Sequence, residues 1–171
     1  MNYFTGIGSR QTPPEVCDWF TDFSYYVTNS NVAYTLRSGG ADGADKAFEK
    51  RAIYSEIYVP WLGFNGSKST LLPTTEAFEI ASVIHPVWNK LSDAAKKLHA
   101  RNIHQVLGKD LKTPSQFVLC WTVGGETVGG TATAIKVANK YDVPVFNAGK
   151  YDNVLTMSEA CIDFLILNSI I

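Results

Sequence analysis

The chain has 171 residues, of which 46% are hydrophobic and 18% are charged, and its formal net charge is -1. A chain of this length can bury a complete core as one domain, and this composition is typical of neither a disordered nor a repeat protein. The nearly neutral charge makes nucleic acid an unlikely ligand, because surfaces that bind it usually carry a basic surplus.

The N-terminus and the cysteines indicate the cellular compartment. The opening residues, MNYFTGIGSR, lack the basic segment and the long apolar run of a signal peptide. No apolar run reaches the roughly 18 residues of a membrane span. The three cysteines (Cys17, Cys120 and Cys161) are widely spaced in apolar surroundings, which predicts free thiols rather than a disulfide framework. We therefore expect a cytoplasmic protein with no membrane partner.

Strands and helices are predicted to alternate along the chain. An apolar run predicts a first strand over 3–7, and TPPE predicts the helix after it, with Thr12 as N-cap, Pro13 at the first helical position and Glu15 completing a capping box. Ser92 is a predicted N-cap further along the chain. The other predicted elements are strands at 32–36, 56–60, 116–122 and 143–147 and helices at 43–53, 74–84, 92–107, 130–141 and from about 158.

This order of elements predicts an α/β fold. Nearly continuous apolar strands separated by helices are typical of a parallel sheet that is covered on both faces. We expect one Rossmann-like domain over residues 1–171, a three-layer parallel sheet with a helical insertion after the third strand, at about 60–112.

Three glycine-rich loops follow predicted strands: 6–13 (GIGSRQTP), 37–45 (RSGGADGAD) and 123–131 (VGGETVGGT). In open parallel sheets, ligands bind outside the carboxyl ends of the strands, where the strand order reverses. Each loop also leads into a helix N-terminus, which attracts anions, and glycine lets the backbone approach a phosphate closely. We therefore predict a phosphate site. Its predicted residues in these loops are Gly8, Ser9, Arg10, Ser38, Gly39, Gly40, Asp42, Asp45, Gly124, Gly125, Gly129, Gly130 and Thr131.

The two familiar phosphate motifs are both incomplete. GIGSRQ has Gln11 where the dinucleotide fingerprint has its third glycine, so a standard NAD site is not expected. In the third loop, Gly124 and Gly129 have the separation of a P-loop and Thr131 stands at its Ser/Thr position, but Gly130 replaces the lysine. Triphosphate hydrolysis and a bound cofactor are therefore not expected.

Several motifs together resemble a known superfamily. GIGSR, SGGADGAD before a helix, and GGT followed by a helix and VPVFN resemble the SLOG superfamily, which groups DprA/Smf proteins with LOG-type (lysine decarboxylase-like) nucleotide phosphoribohydrolases. LHARNIHQVLG before FVLCWTVGGETVGGT is similar to the LOG stretch in which an arginine-bearing helix precedes a strand and a Gly-Gly-x-Gly-Thr loop; Arg101 matches that arginine. HPVW and ARNIHQVLG are similar to segments of small DprA-like proteins carried by bacteriophages.

The resemblance covers most of the chain except about 60–90 and implies a ligand. That ligand is a phosphorylated nucleotide-type small molecule, such as a nucleoside monophosphate, an ADP-ribose derivative or a cyclic nucleotide signal, with Arg101 among the residues that bind it. For the phage-like relatives, the implied purpose is the sequestering of a host signal.

The chain also departs from the LOG pattern. LOG enzymes carry a Glu-Glu pair after the Gly-Thr, one member of which serves catalysis, whereas ATA (132–134) follows here. This loss favours binding over turnover. An N-glycosidic hydrolase is the alternative, with Glu126, Asp42 or Asp45 as the catalytic carboxylate and Arg101 holding the phosphate. A DprA-like binder of single-stranded DNA is a weaker alternative, because the chain has no room for a winged-helix domain and no basic surplus.

Several candidate residues also have purely structural interpretations. Asp42 and Asp45 lie at the start of a predicted helix, where acidic residues complement the helix dipole. Lys97 and Arg101 share a helix face, with His104 three residues on, and form either an anion clamp or a solvated charged face. No metal site is expected, because no cysteine pair has metal-ligand spacing.

The last segment, ACIDFLILNSII (160–171), is apolar on nearly every side, as is typical of a buried helix. We expect a homo-oligomer, either a two-fold dimer or a dimer of dimers, in which this helix or the Tyr/Trp-rich first helix is covered. Burial within a single chain is the alternative.

Overall fold

The fold is a five-stranded, all-parallel sheet between two layers of helices, described for residues 1–171 in a computed structural model. The predicted α/β, Rossmann-like three-layer fold is therefore confirmed. The strands are β1 (Asn2–Gly8), β2 (Tyr34–Ser38), β3 (Ser55–Ile57), β4 (Phe117–Trp121) and β5 (Val145–Asn147). The helices are α1 (Pro14–Thr28), α2 (Ala44–Glu49), α3 (Thr75–Ile84), α4 (Asp93–Leu107), α5 (Ala132–Lys140) and α6 (Val154–Leu167).

Two separate hydrophobic cores cover the two faces of the sheet. Helices α1, α2 and α6 pack on one face, where Phe4 and Leu36 belong to the core. Helices α3, α4 and α5 pack on the other, where Ile7 and Val118 belong to the core. Successive strand residues point to opposite faces, so apolar residues in both positions of a strand are what a sheet buried on both sides requires.

The strand order is β3-β2-β1-β4-β5, which places β4 beside β1. The register pairs Phe4 with Phe117 and Gly8 with Trp121. Helix α1 follows β1 onto one face, whereas α5 follows β4 onto the other. The order therefore reverses between β1 and β4, and the connections diverge above their carboxyl ends.

Helices α3 and α4 both lie in the connection from β3 to β4, within the predicted range 60–112. They pack against each other, and α4 also contacts α5, β1 and β2. The structure thus contains helices in this range; that they are an insertion relative to a family stays a prediction.

The predicted capping box of the first helix is wrong. Helix α1 begins at Pro14, and Pro13 precedes it without a side-chain cap. The Thr12 hydroxyl donates instead to the Ser9 carbonyl at 2.6 Å. Thr12 therefore closes the turn after β1 rather than capping the helix.

Two other helices, α4 and α6, begin at residues whose side chains cap the helix. Ser92 caps α4 as predicted, because its hydroxyl accepts from the Ala95 N–H at 3.2 Å. The last helix begins at Val154 rather than at about 158, since the Asn153 side chain accepts from the Thr156 N–H at 2.9 Å. The remaining boundaries shift by a few residues; for example β2 covers 34–38 rather than 32–36, α2 ends at 49 rather than 53, and β3 ends at 57 rather than 60.

Helix α6 is buried along one face only. Met157, Cys161 and Leu165 are buried in the core. On the outer face, Leu155 and Ile166 are 70% and 56% exposed. Burial of this helix on all sides within one chain is therefore contradicted.

The three cysteines are free, which confirms the prediction of unpaired thiols. Burial raises the pKa of both Cys120 and Cys161 to about 12. None of the six helices combines the length and the apolarity that a membrane crossing requires.

Candidate functional site

Three loops leave the carboxyl edge of the sheet side by side. Loop 1 (9–13) follows β1, loop 2 (39–43) follows β2 and loop 3 (122–131) follows β4. Because β2, β1 and β4 are neighbours in the sheet, the three glycine-rich segments predicted from the sequence lie next to one another at this edge, with Gly39 and Gly40 buried. The Ser9 N–H donates to the Trp121 carbonyl at 3.0 Å, which ties loop 1 to the end of β4.

Loops 1 and 2 touch through glycine. A Cβ atom on Gly43, where φ is +85°, would lie 2.5 Å from the Ser9 carbonyl oxygen and 2.7 Å from Arg10 Cα. A Cβ atom on Gly8 would lie 2.7 Å from the Trp121 carbonyl oxygen. The protein itself therefore requires these two glycines, because a larger residue at Gly43 would force loops 1 and 2 apart and one at Gly8 would force the ends of β1 and β4 apart.

Asp45 and Arg101 form a buried pair beneath loops 1 and 2. One Asp45 oxygen accepts from the Gly8 N–H at 3.0 Å, and the other accepts from the Ala41 N–H at 3.5 Å. Arg101 Nη1 lies 3.5 Å from that second oxygen and donates to the Gly39 carbonyl at 2.9 Å. The two residues are only 2% and 5% exposed, so this pair fixes the loops from inside.

Burial disfavours the charged forms of both Asp45 and Arg101. Burial raises the pKa of Asp45 to about 6, although the Arg101 guanidinium and three backbone N–H groups oppose the rise. Burial also lowers the pKa of Arg101, and its buried Nε has no hydrogen-bond partner. Both residues were predicted to bind ligand. The structure instead gives them partners within the protein.

The helix face of Lys97, Arg101 and His104 is neither an anion clamp nor a solvated charged face, the two interpretations that the sequence left open. Lys97 is exposed, whereas Arg101 and His104 are buried. His104 accepts from the Thr74 N–H at 3.1 Å through Nε2 and lies 2.9 Å from the Gly108 carbonyl through Nδ1, so it is a neutral core histidine. Burial lowers its pKa accordingly.

Loop 3 presents three of its four glycines, Gly124, Gly129 and Gly130, to open space, whereas Gly125 packs against Lys150. A Cβ atom on Gly129 or Gly130 would meet no atom within 4 Å, and one on Gly124 would meet only the Glu126 side chain, at 3.7 Å. Gly124 and Gly129 have positive φ, which favours glycine, but Gly130 does not. Neither the packing nor the backbone conformation therefore requires glycine at position 130.

Buried amides hold both ends of loop 3. Asn147 accepts from the Thr122 N–H at 3.2 Å and donates to the Thr122 hydroxyl at 2.6 Å. That hydroxyl donates to the Glu126 carbonyl at 2.6 Å. From α4, Asn102 donates to the Gly130 carbonyl at 2.6 Å. The backbone of loop 3 is thus held in place although its outer surface is free.

Two unpaired cations lie on the loops. Arg10 of loop 1 is exposed and forms no ion pair. Lys150, after β5, is exposed, and its aliphatic stem covers Gly125, where a Cβ atom would overlap it. Lys150 could not be identified from the sequence, because its contact with loop 3 depends on the pairing of β4 with β5.

His99 lies against the first turn of α5, directly after the Gly-Thr of loop 3. His99 Nδ1 lies 2.7 Å from the Thr133 hydroxyl in the first turn of α5. Its ring centroid is 4.4 Å from that of His85. Burial lowers the pKa of His99 to about 4, with further contributions from His85, Arg101 and Lys136. The position therefore carries a neutral group and no negative charge at pH 7.

The three candidate carboxylates are not brought together. Asp42 forms an exposed ion pair with Lys46 at 2.7 Å. Asp45 is buried with Arg101. Glu126 is exposed and its side chain has no hydrogen-bond partner. None of them is both accessible and held in a fixed position, as a general acid or base requires.

The other predicted residues have mixed surroundings. The Ser38 hydroxyl is fully buried and donates to the Gly6 carbonyl at 2.6 Å, so it is structural. The Ser9 hydroxyl accepts from the N–H of residue 11 within loop 1. Gly40 has a φ of +65°, and Thr131, which is 8% exposed, ends the turn that leads into α5.

A cavity of about 540 Å³ lies beside loop 2 rather than above β1 and β4. Gly40, Asn65 and two lysines, Lys46 and Lys50, are among its lining residues, none of which is hydrophobic. No group of three or more His, Cys, Asp or Glu side chains could hold a metal ion.

Comparisons of the chain with protein-family models, curated proteins and solved structures found no match. The resemblance to the SLOG superfamily therefore depends on the motifs quoted above.

Proposed function

We propose that this protein binds a phosphorylated nucleotide-type small molecule between loops 1 and 3. The observation that carries the proposal is the strand order, which places β1 beside β4 with their helices on opposite faces. Open α/β sheets bind ligands in the crevice at such a reversal. The motifs point to a nucleoside monophosphate, an ADP-ribose derivative or a cyclic nucleotide signal.

The exposed backbone of loop 3 supports a phosphate ligand. The N–H groups of Gly129 and Gly130 have no acceptor at the start of the turn that leads into α5. A Cβ atom on Gly130 would project into open space, and its absence lets a phosphate approach the backbone. The held ends of the loop keep these donors in place before the ligand arrives.

The two unpaired cations also support an anionic ligand. Arg10 and Lys150 lie on loop 1 and beside loop 3, on the two sides of the crevice. Hydrogen bonds between a cation and a phosphate are stronger than neutral ones. Arg101 then has an indirect role, since it holds loop 2 and Asp45 rather than the ligand.

Binding without turnover is better supported than hydrolysis. Cleavage of an N-glycosidic bond needs a carboxylate fixed near the reacting ribose. Asp45 is buried with Arg101, Asp42 is paired with Lys46 and Glu126 has no partner that fixes it. Capture of a nucleotide signal fits this arrangement. A single-stranded DNA ligand has less support, because the net charge is -1.

Calorimetry with AMP, ADP-ribose and cyclic AMP tests the ligand class. We expect at least one to bind and Arg10→Ala to weaken that binding about tenfold, through loss of a charge-assisted contact. Arg51→Ala is the matched control, because Arg51 is also exposed but pairs with Asp22 at 2.7 Å. Binding by none of the three ligands, or equal losses in both variants, would refute the proposal.

Chromatography after incubation with the bound nucleotide tests turnover. We expect intact nucleotide after many binding lifetimes. Multiple turnovers to free base that disappear in Glu126→Gln would show that the protein is a hydrolase instead.

We also propose a homo-oligomer that covers the outer face of α6. Leu155, Ile162 and Ile166 are exposed on this face, and Tyr26 is exposed on the neighbouring α1. A two-fold axis would let the same apolar patch on two copies cover itself. Light scattering at micromolar concentration should give a multiple of 18.8 kDa, and Ile162→Lys should reduce the mass to that of one chain. A single-chain mass for the unaltered protein would refute this proposal.

A further inference from the structure

The segment after β3 carries an exposed aromatic pair. Trp61 is 39% exposed, and its ring is perpendicular to that of Phe64, with the centroids 5.3 Å apart. Both side chains follow the carboxyl end of β3, and therefore lie at the same edge of the sheet as the three loops.

This pair is attached directly to loop 2. The Asn65 amide donates to the Gly40 carbonyl at 3.2 Å, and Asn65 adopts a left-handed conformation with φ of 48°. Phe64 lies beside Gly40 and faces the Arg101 guanidinium, 5.7 Å from the ring centroid. Phe64 is therefore half-buried against loop 2, whereas Trp61 lies on the outer, exposed side of the pair.

Trp61 differs from the other exposed aromatic residues in its position. Tyr26 lies near the end of α1, Tyr54 immediately before β3 and Tyr141 immediately after α5. The helices that connect these parallel strands run from the carboxyl edge of the sheet back to its amino edge. These three residues, at helix ends or just before a strand, therefore lie toward the amino edge. Only Trp61 combines exposure with the edge at which the glycine-rich loops lie.

The spacing fits one small ligand. Neighbouring strands are about 4.8 Å apart, so two strand spacings, roughly 10 Å, separate the ends of β3 and β1. A ribose alone is shorter than this distance, but a whole nucleotide can span it from its phosphate to the far edge of its base. A phosphate at loops 1 and 3 would thus direct the rest of a nucleotide across loop 2 toward Trp61.

We propose that Trp61, supported by Phe64, stacks on the base of the bound nucleotide. This inference depends on the proposed function: it adds a contact for the base to the proposed site for the phosphate. Stacking on an aromatic face accepts any planar base, so the residue would supply affinity for nucleotides as a class rather than choice among bases. The ligand is therefore expected to carry a planar heterocyclic base as well as a phosphate.

Calorimetry with AMP and its two parts, adenosine and ribose 5-phosphate, separates the two halves of the site. Trp61→Ala should weaken the binding of AMP and adenosine about tenfold and leave that of ribose 5-phosphate unchanged. Trp61→Phe should restore most of the loss, because it keeps an aromatic face. Tyr54→Ala, which removes another exposed aromatic ring, should change none of the three affinities.

The outcomes distinguish this inference from the phosphate proposal. If Trp61→Ala leaves AMP and adenosine binding unchanged, or if neither binds the unaltered protein, the stacking role is wrong. Binding of ribose 5-phosphate alone would overturn the stacking role and leave the phosphate site standing. Equal binding of adenosine and AMP, both lost in Trp61→Ala, would support stacking and refute the phosphate site.

Discussion

Loops 2 and 3 are both rich in glycine, but Gly39 of loop 2 and Gly130 of loop 3 have opposite surroundings. A Cβ atom on Gly39 would overlap Arg101 Nη1 and Gln105 Nε2, so loop 2 fits closely against the protein's own side chains. A Cβ atom on Gly130 would meet nothing within 4 Å. Glycine at position 39 therefore allows close internal packing, whereas glycine at position 130 leaves the backbone of loop 3 open at the place where we propose that the ligand binds.

The strongest test of the internal packing is Arg101→Ala. Removing the guanidinium leaves the buried Asp45 carboxylate without its ion-pair partner, and we expect a loss of about 3–5 kcal/mol in the free energy of unfolding. Urea unfolding followed by circular dichroism measures it. Lys97→Ala, one turn away and exposed, is the control and should change stability by less than about 0.5 kcal/mol. A loss below about 1 kcal/mol for Arg101→Ala would show that loop 2 does not depend on the pair.

Gly39→Ala tests the close fit with a smaller change. The added methyl group would displace Arg101 and Gln105, which cannot move without disturbing the pair with Asp45. We expect a loss of about 1–3 kcal/mol, as is typical of overpacking. The same urea measurement on Gly130→Ala should show a change within about 0.5 kcal/mol. Equal losses in the two variants would remove the distinction between the loops.

Gly130→Ala should then affect binding instead of stability. A methyl group at this position projects into the space assigned to the phosphate, so we expect AMP to bind about tenfold more weakly, or about 1.4 kcal/mol. Gly130→Val should weaken binding further. Unchanged calorimetric affinity in both variants would mean that the ligand does not approach loop 3.

Acidification should change the free energy of unfolding in opposite directions through the two regions. The net change in the unaltered protein is therefore the smallest effect we expect. Burial lowers the pKa of His99, beside loop 3, to about 4, so its contribution to stability is lost as the pH falls below the unfolded value of about 6.5. Burial raises the pKa of Asp45, beneath loop 2, to about 6, so the folded state takes up this proton first and gains relative stability between pH 6 and 4.

The free energy of unfolding, measured at pH 7 and pH 5 for the unaltered protein and for His99→Gln, separates the contributions of His99 and Asp45. The unaltered protein should lose more stability than the variant on acidification, because only it carries the histidine. Asp45→Asn should show the reverse, a steeper loss than the unaltered protein. Parallel pH profiles for all three would contradict the assignment.

Much of the fold could be predicted because it depends on local periodicity. Apolar runs and cap residues such as Ser92 indicate strands and helices, and their alternation indicates a parallel sheet. The residues of the candidate site were harder to interpret. The sequence does not reveal that Asp45 and Arg101, 56 positions apart, face each other in the interior, and so both were assigned to the ligand.

Contacts between distant segments explain what the sequence analysis missed. Lys150 lies beside loop 3 only because β5 pairs with β4, and His99 reaches Thr133 only because α4 packs on α5. Trp61 lies in a glycine-rich segment without periodicity, where nothing local indicates its distance from loop 2. Only the pairing of β2 with β3 brings the two together.

The pairing of β1 with β4 also has a consequence for synthesis of the chain. Phe4 pairs with Phe117, so the central strand lacks one neighbour until more than a hundred further residues have been made. At 5–20 residues per second, this interval lasts on the order of ten seconds. During it, one edge of β1 has unpaired N–H and C=O groups, which can pair with other nascent chains. We therefore expect the N-terminal third, β1 to β3, to be the part of this protein most prone to aggregation on the ribosome.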